Sequence, residues 1–425
     1  METERLILMK IIVLDGNENQ AVACVRSLAR AGHQVVVGAP TTWSKAGWSR
    51  YCERTFVYPA PDISEFVERI VQEARREPGA LVMPMTERTT LPLSAERERV
   101  FAAGGRLALP THETVLRAFD KRQTTRLASD LGITVPRTAQ IAGPDQVEEA
   151  VRIVGLPAVL KPCSSEVVTA SGKIRETGAP SFARTRDEFV AACDAMRRRC
   201  HTVIAQEFVS GRGEGYFALM RDGAPRAEFA HRRIRDVRPT GSGSAVRESA
   251  MPDEELRRAG LAILRALNWH GVAMVEFLRR PDGALVFMEV NGRFWNSLPL
   301  AVYAGADFPA MLAEMAEHGD VKAAPPYRAG VRCRWLLGDF RRLVEVWRGA
   351  PAGFPGDFPT RWRALFDFLR PMPGVRHDNF MLCDPLPELG DWLDFALRRL
   401  PARLGQSPSE NMGSGEWEVG SGDRK

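Results

Sequence analysis

Apolar and polar residues follow one another along this chain in an order that predicts an α/β protein. Residues 10–14 form a short run that is apolar after Lys10, residues 20–31 carry apolar side chains at helical spacing, and residues 34–38 form a second run that is apolar after Gln34. Gly32 separates the helical segment from the second run. A strand, a helix and a strand in close succession predict a parallel β-α-β unit at the start of the chain.

The same spacing rules predict the elements that follow. Predicted helices cover residues 63–76, 87–100, 114–130, 145–154 and 187–199, and predicted strands cover residues 80–84, 107–109, 156–162, 202–208 and 216–220. Two amphipathic helices with aromatic stripes are predicted at 340–347 and 362–369, after a proline-rich break at 323–326. Core packing explains those stripes, and binding of a lipid-linked substrate is the alternative.

Two neighbouring strands carry the most informative polar residues. Residues 271–278 and 285–288 are rich in β-forming residues, and the turn signal Pro281-Asp282-Gly283 between them predicts an antiparallel hairpin. Side chains alternate along a strand, so Glu289 and Asn291 share one face, and Glu276 can lie beside them. Oxygen ligands of this kind suit Mg²⁺, although the same residues are also common in an ordinary hairpin.

Composition excludes several classes of protein. The chain has 425 residues, a net charge of +5 and no long uninterrupted apolar run, which predicts two or three domains and no membrane span. The mild charge does not indicate nucleic-acid binding. Seven scattered cysteines without a CxxC spacing argue against disulfides and zinc, and the charged first residues argue against a secretory signal. We therefore expect a cytoplasmic protein, with Met1 or Met9 as its start.

Two lysines and a polar segment indicate an anion site. Lys121 lies within a predicted helix, where a solvated lysine is common, whereas Lys161 ends a buried strand and must find an anion or reach water. Residues 164–178 are rich in Ser, Thr and Gly. Such a segment either folds over phosphates with its backbone amides or forms a mobile hairpin.

Four motifs in order resemble the ATP-grasp superfamily, over roughly residues 113–318. They are Phe119-Asp120-Lys121 with LGITVP at 131–136, LPAVLKP at 156–162, QEFVSGRGEG at 206–215, and VEF at 275–277 with FMEVNGR at 287–293. The resemblance implies a two-lobed ATP-grasp fold that binds ATP and Mg²⁺ or Mn²⁺. It also implies chemistry in which a carboxylate is phosphorylated and an amine then displaces the phosphate.

The resemblance also implies a role for each matching residue. It implies that Lys121 and Lys161 bind the phosphates, that the hinge of Glu207, Phe208 and Val209 recognises the adenine, and that Glu214 binds the ribose. It implies that Ser164 and Ser165 belong to the lid and that Glu276, Glu289 and Asn291 bind the metal. Arg293 would stabilise the transferred phosphoryl group. The lid segment departs from the family pattern, because serine and threonine replace most of its glycines.

The segment 229–249 concerns the substrate. It contains Arg232, Arg233, Arg235, Arg238 and Arg247 around a Gly-Ser loop that includes Ser242. Arginine binds carboxylates and phosphates in a bidentate manner, so Arg232, Arg233 and Ser242 are candidate contacts for an anionic substrate. A solvated basic hairpin is the alternative. Asn296, at the start of a predicted helix, is a further candidate. The segment also resembles the carboxylate-amine ligases of the superfamily, including those similar to D-aspartate ligases.

Together these observations predict an α/β fold with α+β lobes in four parts. We expect a parallel β-α-β domain at 9–112, an ATP-grasp domain at 113–318, a small helical extension at 319–405 and a disordered tail at 406–425. The predicted activity is an ATP-dependent carboxylate-amine ligase with small-molecule substrates, and the resembling family suggests a homodimer. Two alternatives stay open, namely a carbamoyl-phosphate-synthase-like carboxylate kinase and a nucleotide-binding protein without catalysis.

Overall fold

The computed structural model of the chain describes residues 9–59, 62–162, 166–168, 174–176, 179–198, 200, 202–322 and 324–397. In the N-terminal part, the elements are β1 (Lys10–Val13), α1 (Asn19–Arg30), β2 (Gln34–Ala39), β3 (Arg54–Val57), α2 (Ile63–Arg76), β4 (Leu81–Met83), α3 (Glu87–Ala95) and α4 (Arg97–Ala102). The next part contains α5 (His112–Phe119), α6 (Lys121–Asp130), β5 (Thr138–Ile141), α7 (Val147–Val154), β6 (Ala158–Pro162), β7 (Glu166–Val168), β8 (Ile174–Glu176), β9 (Ser181–Ala183), α8 (Arg186–Arg197) and β10 (Val203–Glu207).

The larger lobe and the C-terminal part complete the chain. They contain β11 (Arg212–Arg221), β12 (Ala224–Arg238), β13 (Ser242–Ala250), α9 (Glu254–Ala266), β14 (Gly271–Arg279), β15 (Leu285–Asn291), α10 (Leu298–Ala304), α11 (Phe308–His318), β16 (Arg332–Arg334), α12 (Leu336–Arg348), α13 (Arg361–Leu369), β17 (Arg376–His377) and α14 (Leu386–Leu397).

The N-terminal sheet confirms the predicted parallel β-α-β unit. Its four strands pair in parallel in the order β3-β2-β1-β4. Alternate residues of β1 point to opposite faces, so Ile11 packs in one core with Val22 of α1, and Ile12 packs in another with Phe66 of α2. The predicted helix at 87–100 is divided at Glu96, and the predicted strand at 107–109 is absent, since only a single bridge joins Leu81 to Arg106 in this described region.

Each lobe contains one main sheet, whose strands pair antiparallel except for β16 with β17, and β7 and β8 form a separate two-stranded sheet. The smaller sheet has the order β5-β10-β6-β9, and α7 and α8 cover it. The larger sheet has the order β15-β14-β11-β12-β13-β16-β17. The end of β10 leads directly into β11, so residues 208–211 connect the two lobes. This arrangement confirms the predicted α+β lobes behind an N-terminal parallel domain.

Lys121 begins a helix, and the expectation that it lies inside one was wrong. The predicted helix at 114–130 is two helices, because α5 ends at Phe119 and α6 starts at Lys121. Asp120 separates them as an N-cap whose carboxylate accepts hydrogen bonds from the backbone N–H groups of Arg122 and Gln123. The break turns Lys121 toward the space between the lobes, where it meets Glu289.

The C-terminal extension contains strands as well as the predicted helices. Strand β16 pairs with β13, and β17 pairs with β16, so the extension adds two strands to the larger sheet. Buried ion pairs fix it to the rest of the chain, with Arg247 of β13 bound to Asp378 and Arg26 of α1 bound to Asp384. The predicted tail at 406–425 lies outside the described residues. No helix in the described part of the chain is both long and apolar enough to cross a bilayer.

Candidate functional site between the lobes

Three predicted metal ligands converge at the pairing of β14 and β15. Glu276 and Glu289 are direct cross-strand partners, and Asn291 follows two residues later on the same face. The Asn291 side-chain amide donates a hydrogen bond of 3.2 Å to Glu289 Oε1. Gly292 and Arg293 come directly after the strand, and the Arg293 guanidinium donates a hydrogen bond of 2.9 Å to Asn291 Oδ1. The local sequence therefore produces the oxygen cluster that its alternation predicts.

Each carboxylate has a cation beside it. Lys121 Nζ lies 3.3 Å from Glu289 Oε2, and Arg233 Nη2 lies 2.6 Å from Glu276 Oε1. Arg233 is 8% exposed at its side chain, so this is a nearly buried ion pair. Arg233 was a candidate substrate contact, and the structure places it against a predicted metal ligand instead of in an open anion site.

The two carboxylates have different proton affinities because their neighbours differ. Burial raises the pKa of Glu276, and Arg233 offsets only part of that rise. Burial also acts to raise the pKa of Glu289, but the ammonium groups of Lys121 and Lys161 outweigh it and hold the pKa at about 2. The charge of Glu289 in turn raises the pKa of Lys121. Glu289 is therefore ionised at neutral pH and available as an anionic ligand.

Lys161 faces this cluster from the smaller lobe. It lies on β6, and its Nζ donates a hydrogen bond of 2.8 Å to the side-chain oxygen of Gln206 on the adjacent strand β10. Burial, together with repulsion from Lys121, lowers the pKa of Lys161 to about 8. Two lysines thus approach one carboxylate from two lobes, and an anion between the lobes meets positive charge from both.

The connection between the lobes contains the predicted hinge residues. The backbone N–H groups of Glu207 and Phe208 donate to the carbonyl oxygens of Arg137 and Pro157, at 2.9 and 3.0 Å. The Glu207 carboxylate is bound by Arg137 and Arg280. Among the hydrogen bonds of the described residues, none uses the Val209 N–H, so it is the hinge donor that remains for a ligand.

Glu214 and Arg232 lie apart from the carboxylate pair. In the pairing of β11 with β14, Gly215 is opposite Glu276, whereas Glu214 is opposite Phe277. Directly opposed side chains share a face, so Glu214 lies on the other face of the sheet, where Arg212 and Arg279 bind its carboxylate. Arg232 is the partner of Glu214 on β12, and its guanidinium binds Glu248. The structure does not bring these two residues to Glu276 and Glu289.

The remaining candidates occupy three other places. Ser242 begins β13, and its hydroxyl lies 3.5 Å from Arg238 Nη1. Asn296 precedes α10, and its Oδ1 accepts a hydrogen bond of 3.1 Å from Asn19 at the start of α1. The lid residues Ser164 and Ser165 lie outside the described residues. The structure therefore connects Asn296, but not Ser242, to the N-terminal domain.

Sequence reasoning missed three residues that shape this site. Gln206 accepts a hydrogen bond from Lys161. The alternation of side chains along β10 could have predicted that Gln206 lies on the same face of the sheet as Lys161 of the neighbouring strand β6. Leu278 lies two residues after Glu276 on the same face and extends the site with an apolar surface. Gly213 on β11 leaves room for the Arg233 side chain to pass over that strand toward Glu276, because a Cβ atom at position 213 would lie 2.6 Å from Arg233 Cδ. Only the tertiary structure reveals that last contact.

The donor set at the cluster fits a magnesium ion held partly by substrate. Mg²⁺ is usually bound by one or two carboxylates, with water and phosphate oxygens completing its coordination. Within the described ranges no group of three or more His, Cys, Asp or Glu side chains converges as a complete metal cage. Two carboxylates and the Asn291 amide oxygen are the partial set that such an ion requires.

Some known proteins resemble this chain in sequence, and others resemble it in fold. No protein-family profile matches the chain. The large chain of carbamoyl phosphate synthase from Methanoculleus marisnigri is 30% identical over 256 residues, which are 58% of this chain and 23% of that protein. The chain thus spans about a quarter of the length of the curated relatives it matches.

Two solved structures have a similar fold. The biotin carboxylase domain of 2-oxoglutarate carboxylase from Hydrogenobacter thermophilus matches with a TM-score of 0.60 and 14% identity, covering 76% of this chain and 73% of that one. An L-amino acid ligase from Bacillus licheniformis matches with a TM-score of 0.55 and 15% identity, covering 72% and 74%. The chain is therefore similar in sequence to these carbamoyl phosphate synthase large chains, and it shares the fold of the two solved structures.

Proposed function

We propose that this protein is an ATP- and Mg²⁺-dependent ligase that joins a carboxylate to an amine through an acyl phosphate. The observation that carries the proposal is the pair Glu276 and Glu289, which are cross-strand partners on one face of the sheet. The cationic side chains of Lys121, Lys161 and Arg233 surround this pair. This arrangement suits phosphoryl transfer, which depends mainly on positioning and on neutralising charge.

The proposed nucleotide site lies between the two lobes. Glu276, Glu289 and Asn291 would hold Mg²⁺, which would neutralise charge on the phosphates of ATP. Lys121 and Lys161 would bind the phosphate oxygens, and the Val209 N–H would bind the adenine edge. Manganese suits the same ligands. The Arg293 guanidinium donates a hydrogen bond to Asn291, and from this position it would contact the transferred phosphoryl group.

The reaction has two steps. A carboxylate oxygen of the first substrate attacks the γ-phosphorus of ATP, the bond from that phosphorus to the bridging oxygen breaks, and ADP leaves with the electron pair. The lone pair of the amine then attacks the acyl carbon, the carbon–oxygen bond to phosphate breaks, and inorganic phosphate leaves as the amine loses a proton. Arg293 would stabilise the negative charge that develops on the phosphoryl and acyl oxygens.

The similar proteins support this proposal. The Hydrogenobacter thermophilus domain was solved in complex with MgADP and bicarbonate, and the Bacillus licheniformis protein is an amino acid ligase. The carbamoyl phosphate synthase relatives favour a second candidate, a carboxylate kinase that releases or passes on its acyl phosphate. We further propose a cytoplasmic location, small-molecule substrates and a homodimer as the assembly.

The test is phosphate release from ATP and Mg²⁺ with amino acids and small carboxylic acids, supplied singly and in pairs, with mass detection of products. A ligase requires two partners and yields a condensed product. Release with a single carboxylate, trapped as a hydroxamate by hydroxylamine, would identify the kinase instead. Tight ATP binding without release in any mixture would favour a binding protein.

A variant pair connects the activity to the carboxylates. Glu289→Ala removes a metal carboxylate and should lower the rate at least about 100-fold, because each such ligand contributes several kcal/mol to transition-state stabilisation. The control is Glu228→Gln, a glutamate of the same sheet that binds Tyr216 and Arg257 away from the site. Full ATP turnover by Glu289→Ala would refute the proposed function.

A further inference from the structure

A polar pocket of about 400 Å³ lies where three parts of the chain meet. Asn17, Glu18 and Lys45 line it from the N-terminal domain, Asn296 from the ATP-grasp domain, and Trp335 and Asp391 from the C-terminal extension. A volume of this size has room for a molecule as large as an amino acid or a dipeptide. Among the residues given a role above, Asn296, a candidate substrate contact, is the one that lines this pocket.

A buried network fixes one wall of the pocket. Lys45 Nζ donates hydrogen bonds to Asn19 Oδ1 at 2.5 Å and to Asp391 Oδ1 at 2.9 Å. Asp391 Oδ2 accepts from Trp335 Nε1 at 2.6 Å. The charge of Lys45 is therefore neutralised within the protein, and the wall is held in place by contacts between the N-terminal and C-terminal parts.

Glu18 differs from the other charged residues of that wall. It lines the pocket, and no hydrogen bond or ion pair among the described residues involves its carboxylate. Burial raises the pKa of Glu18, and Lys45 offsets part of the rise. A partly buried carboxylate without a partner is costly, and a bound cation would relieve that cost.

The pocket lies within electrostatic range of the proposed catalytic arginine, Arg293. Asn296 follows Arg293 by three residues and binds Asn19, which is next to Glu18 in sequence. The charge of Arg293 also acts on the pKa of Glu18, so the two side chains lie within electrostatic range. A molecule bound at Glu18 would therefore lie beside the place where the acyl phosphate would form.

We infer that this pocket binds the amine substrate, with the Glu18 carboxylate holding its amino group. The inference rests on the proposed ligase function and names the class of its second substrate, a small primary amine of amino-acid size. Trp335, Leu337 and Phe395 would contact its carbon skeleton. In this arrangement the C-terminal extension completes the acceptor site, and the N-terminal domain selects for the amine.

The experiment measures binding and needs no turnover. Saturation-transfer NMR on the full chain, with and without ADP and Mg²⁺, uses two probe sets at millimolar concentrations. The first set is the methyl esters of glycine, alanine, leucine and phenylalanine, which keep the amine and lack a free carboxylate. The second set is the four N-acetyl amino acids, which keep the carboxylate and lack the amine.

We expect esters to bind the unmodified protein, and Glu18→Gln to weaken that binding by about tenfold to a hundredfold, because it removes a charged hydrogen-bond acceptor. Glu18→Ala should weaken it at least as much. Glu228→Gln should bind esters normally, and ADP binding by both Glu18 variants should be unchanged, which verifies that they are folded.

Three outcomes would overturn the inference: no ester binds, ester binding is insensitive to Glu18, or only the N-acetyl set responds to the Glu18 variants. The last outcome would assign the pocket to the carboxylate substrate. Because binding is measured without ATP, ester binding that depends on Glu18 would support the pocket even if no substrate pair released phosphate. Phosphate release without ester binding would leave the proposed function standing and refute the pocket.

Discussion

Burial and neighbouring charges shift the pKa values of single residues in the site. Lys161 and Lys121 carry the same charge and face the same carboxylate, yet burial lowers the pKa of Lys161 whereas Glu289 raises that of Lys121. Lys121 has an ion-pair partner at 3.3 Å, whereas among the described residues the hydrogen-bond partner of Lys161 is the neutral side-chain oxygen of Gln206 at 2.8 Å. Lys161 is thus the lysine whose charge changes near physiological pH.

This difference predicts an alkaline limit to ATP use. The pKa of Lys161 is about 8, so its ammonium is present below that pH and is lost as the pH rises through it. The value of kcat/KM for ATP, which reports ionisations of the free enzyme, should therefore fall above about pH 8. Lys161→Arg keeps the positive charge and should remove this limit. A pH profile identical in both proteins would contradict the assignment.

A second prediction about single residues concerns Gly213. A Cβ atom at position 213 would lie 2.6 Å from Arg233 Cδ and 2.9 Å from its Nε. Arg233 is held at its far end by Glu276, so it cannot move aside without loosening that ion pair. We expect Gly213→Ala to raise KM for ATP and Mg²⁺ by about tenfold, since it disturbs an ion pair at the proposed metal site. Titration of Mg²⁺ in steady-state assays measures the effect.

The control for Gly213 is a glycine with space around it. Gly283 lies in the turn between β14 and β15 with φ of +91°, and a Cβ atom added there would have no heavy atom within 4 Å. Asparagine adopts positive φ more readily than most residues, so Gly283→Asn should leave the Mg²⁺ requirement unchanged. Equal effects of the two substitutions would show that the change at Gly213 does not act through Arg233.

At the scale of elements, buried ion pairs hold the C-terminal extension against the larger sheet. Arg247 on β13 and Asp378 after β17 are both fully buried at their side chains. Asp378 also accepts hydrogen bonds from Cys333 of β16 and from Asn19 of α1. One carboxylate therefore connects the sheet, the extension and the N-terminal domain.

Loss of that carboxylate should destabilise the whole chain. Asp378→Asn leaves the Arg247 charge buried without an anionic partner, and we expect the free energy of unfolding to fall by about 3–5 kcal/mol. The matched control is Asp320→Asn, whose carboxylate binds Arg221 and Arg226 but is 40% exposed, and it should cost less than about 1 kcal/mol. Urea unfolding followed by tryptophan fluorescence compares the two. Equal losses would contradict the central role of Asp378.

At the scale of the whole molecule, the extension carries a carboxyl group that makes stability depend on pH. Glu388 is the third residue of α14, and one of its oxygens accepts a hydrogen bond of 2.8 Å from Trp392 Nε1. The other oxygen is buried with no partner among the described residues. Burial raises the pKa of Glu388 to about 7 from an ordinary value of 4.5.

The sign of the effect follows from proton binding. Between pH 4.5 and about 7 the folded state keeps a proton on Glu388 that the unfolded state has lost, so stability falls as the pH rises through this range. Glu388→Gln keeps the acceptor for Trp392 and has no charge to bury. It should match the unmodified protein near pH 4.5 and exceed it by at most about 3 kcal/mol at pH 8. Thermal unfolding at several pH values measures this, and a constant difference would refute it.

Local sequence patterns were enough to predict the local elements and the chemistry of the central hairpin. Alternation along β15 placed Glu289 and Asn291 on one face, and the turn at Pro281 to Gly283 placed Glu276 opposite, because these relations depend only on strand geometry and turn propensity. The apolar runs likewise determined the parallel N-terminal sheet. Local rules missed the break at Asp120, where capping outweighed helical periodicity.

Which charges meet across the chain depends on how distant elements pack together. Arg232 and Arg233 are adjacent in sequence but lie on opposite faces of β12, so Arg232 binds Glu248 and Arg233 binds Glu276. Glu18, Lys45, Asn296 and Asp391 come from distant segments and surround one pocket. Such pairings depend on the register and packing of several elements at once, and no pattern within a single segment records them.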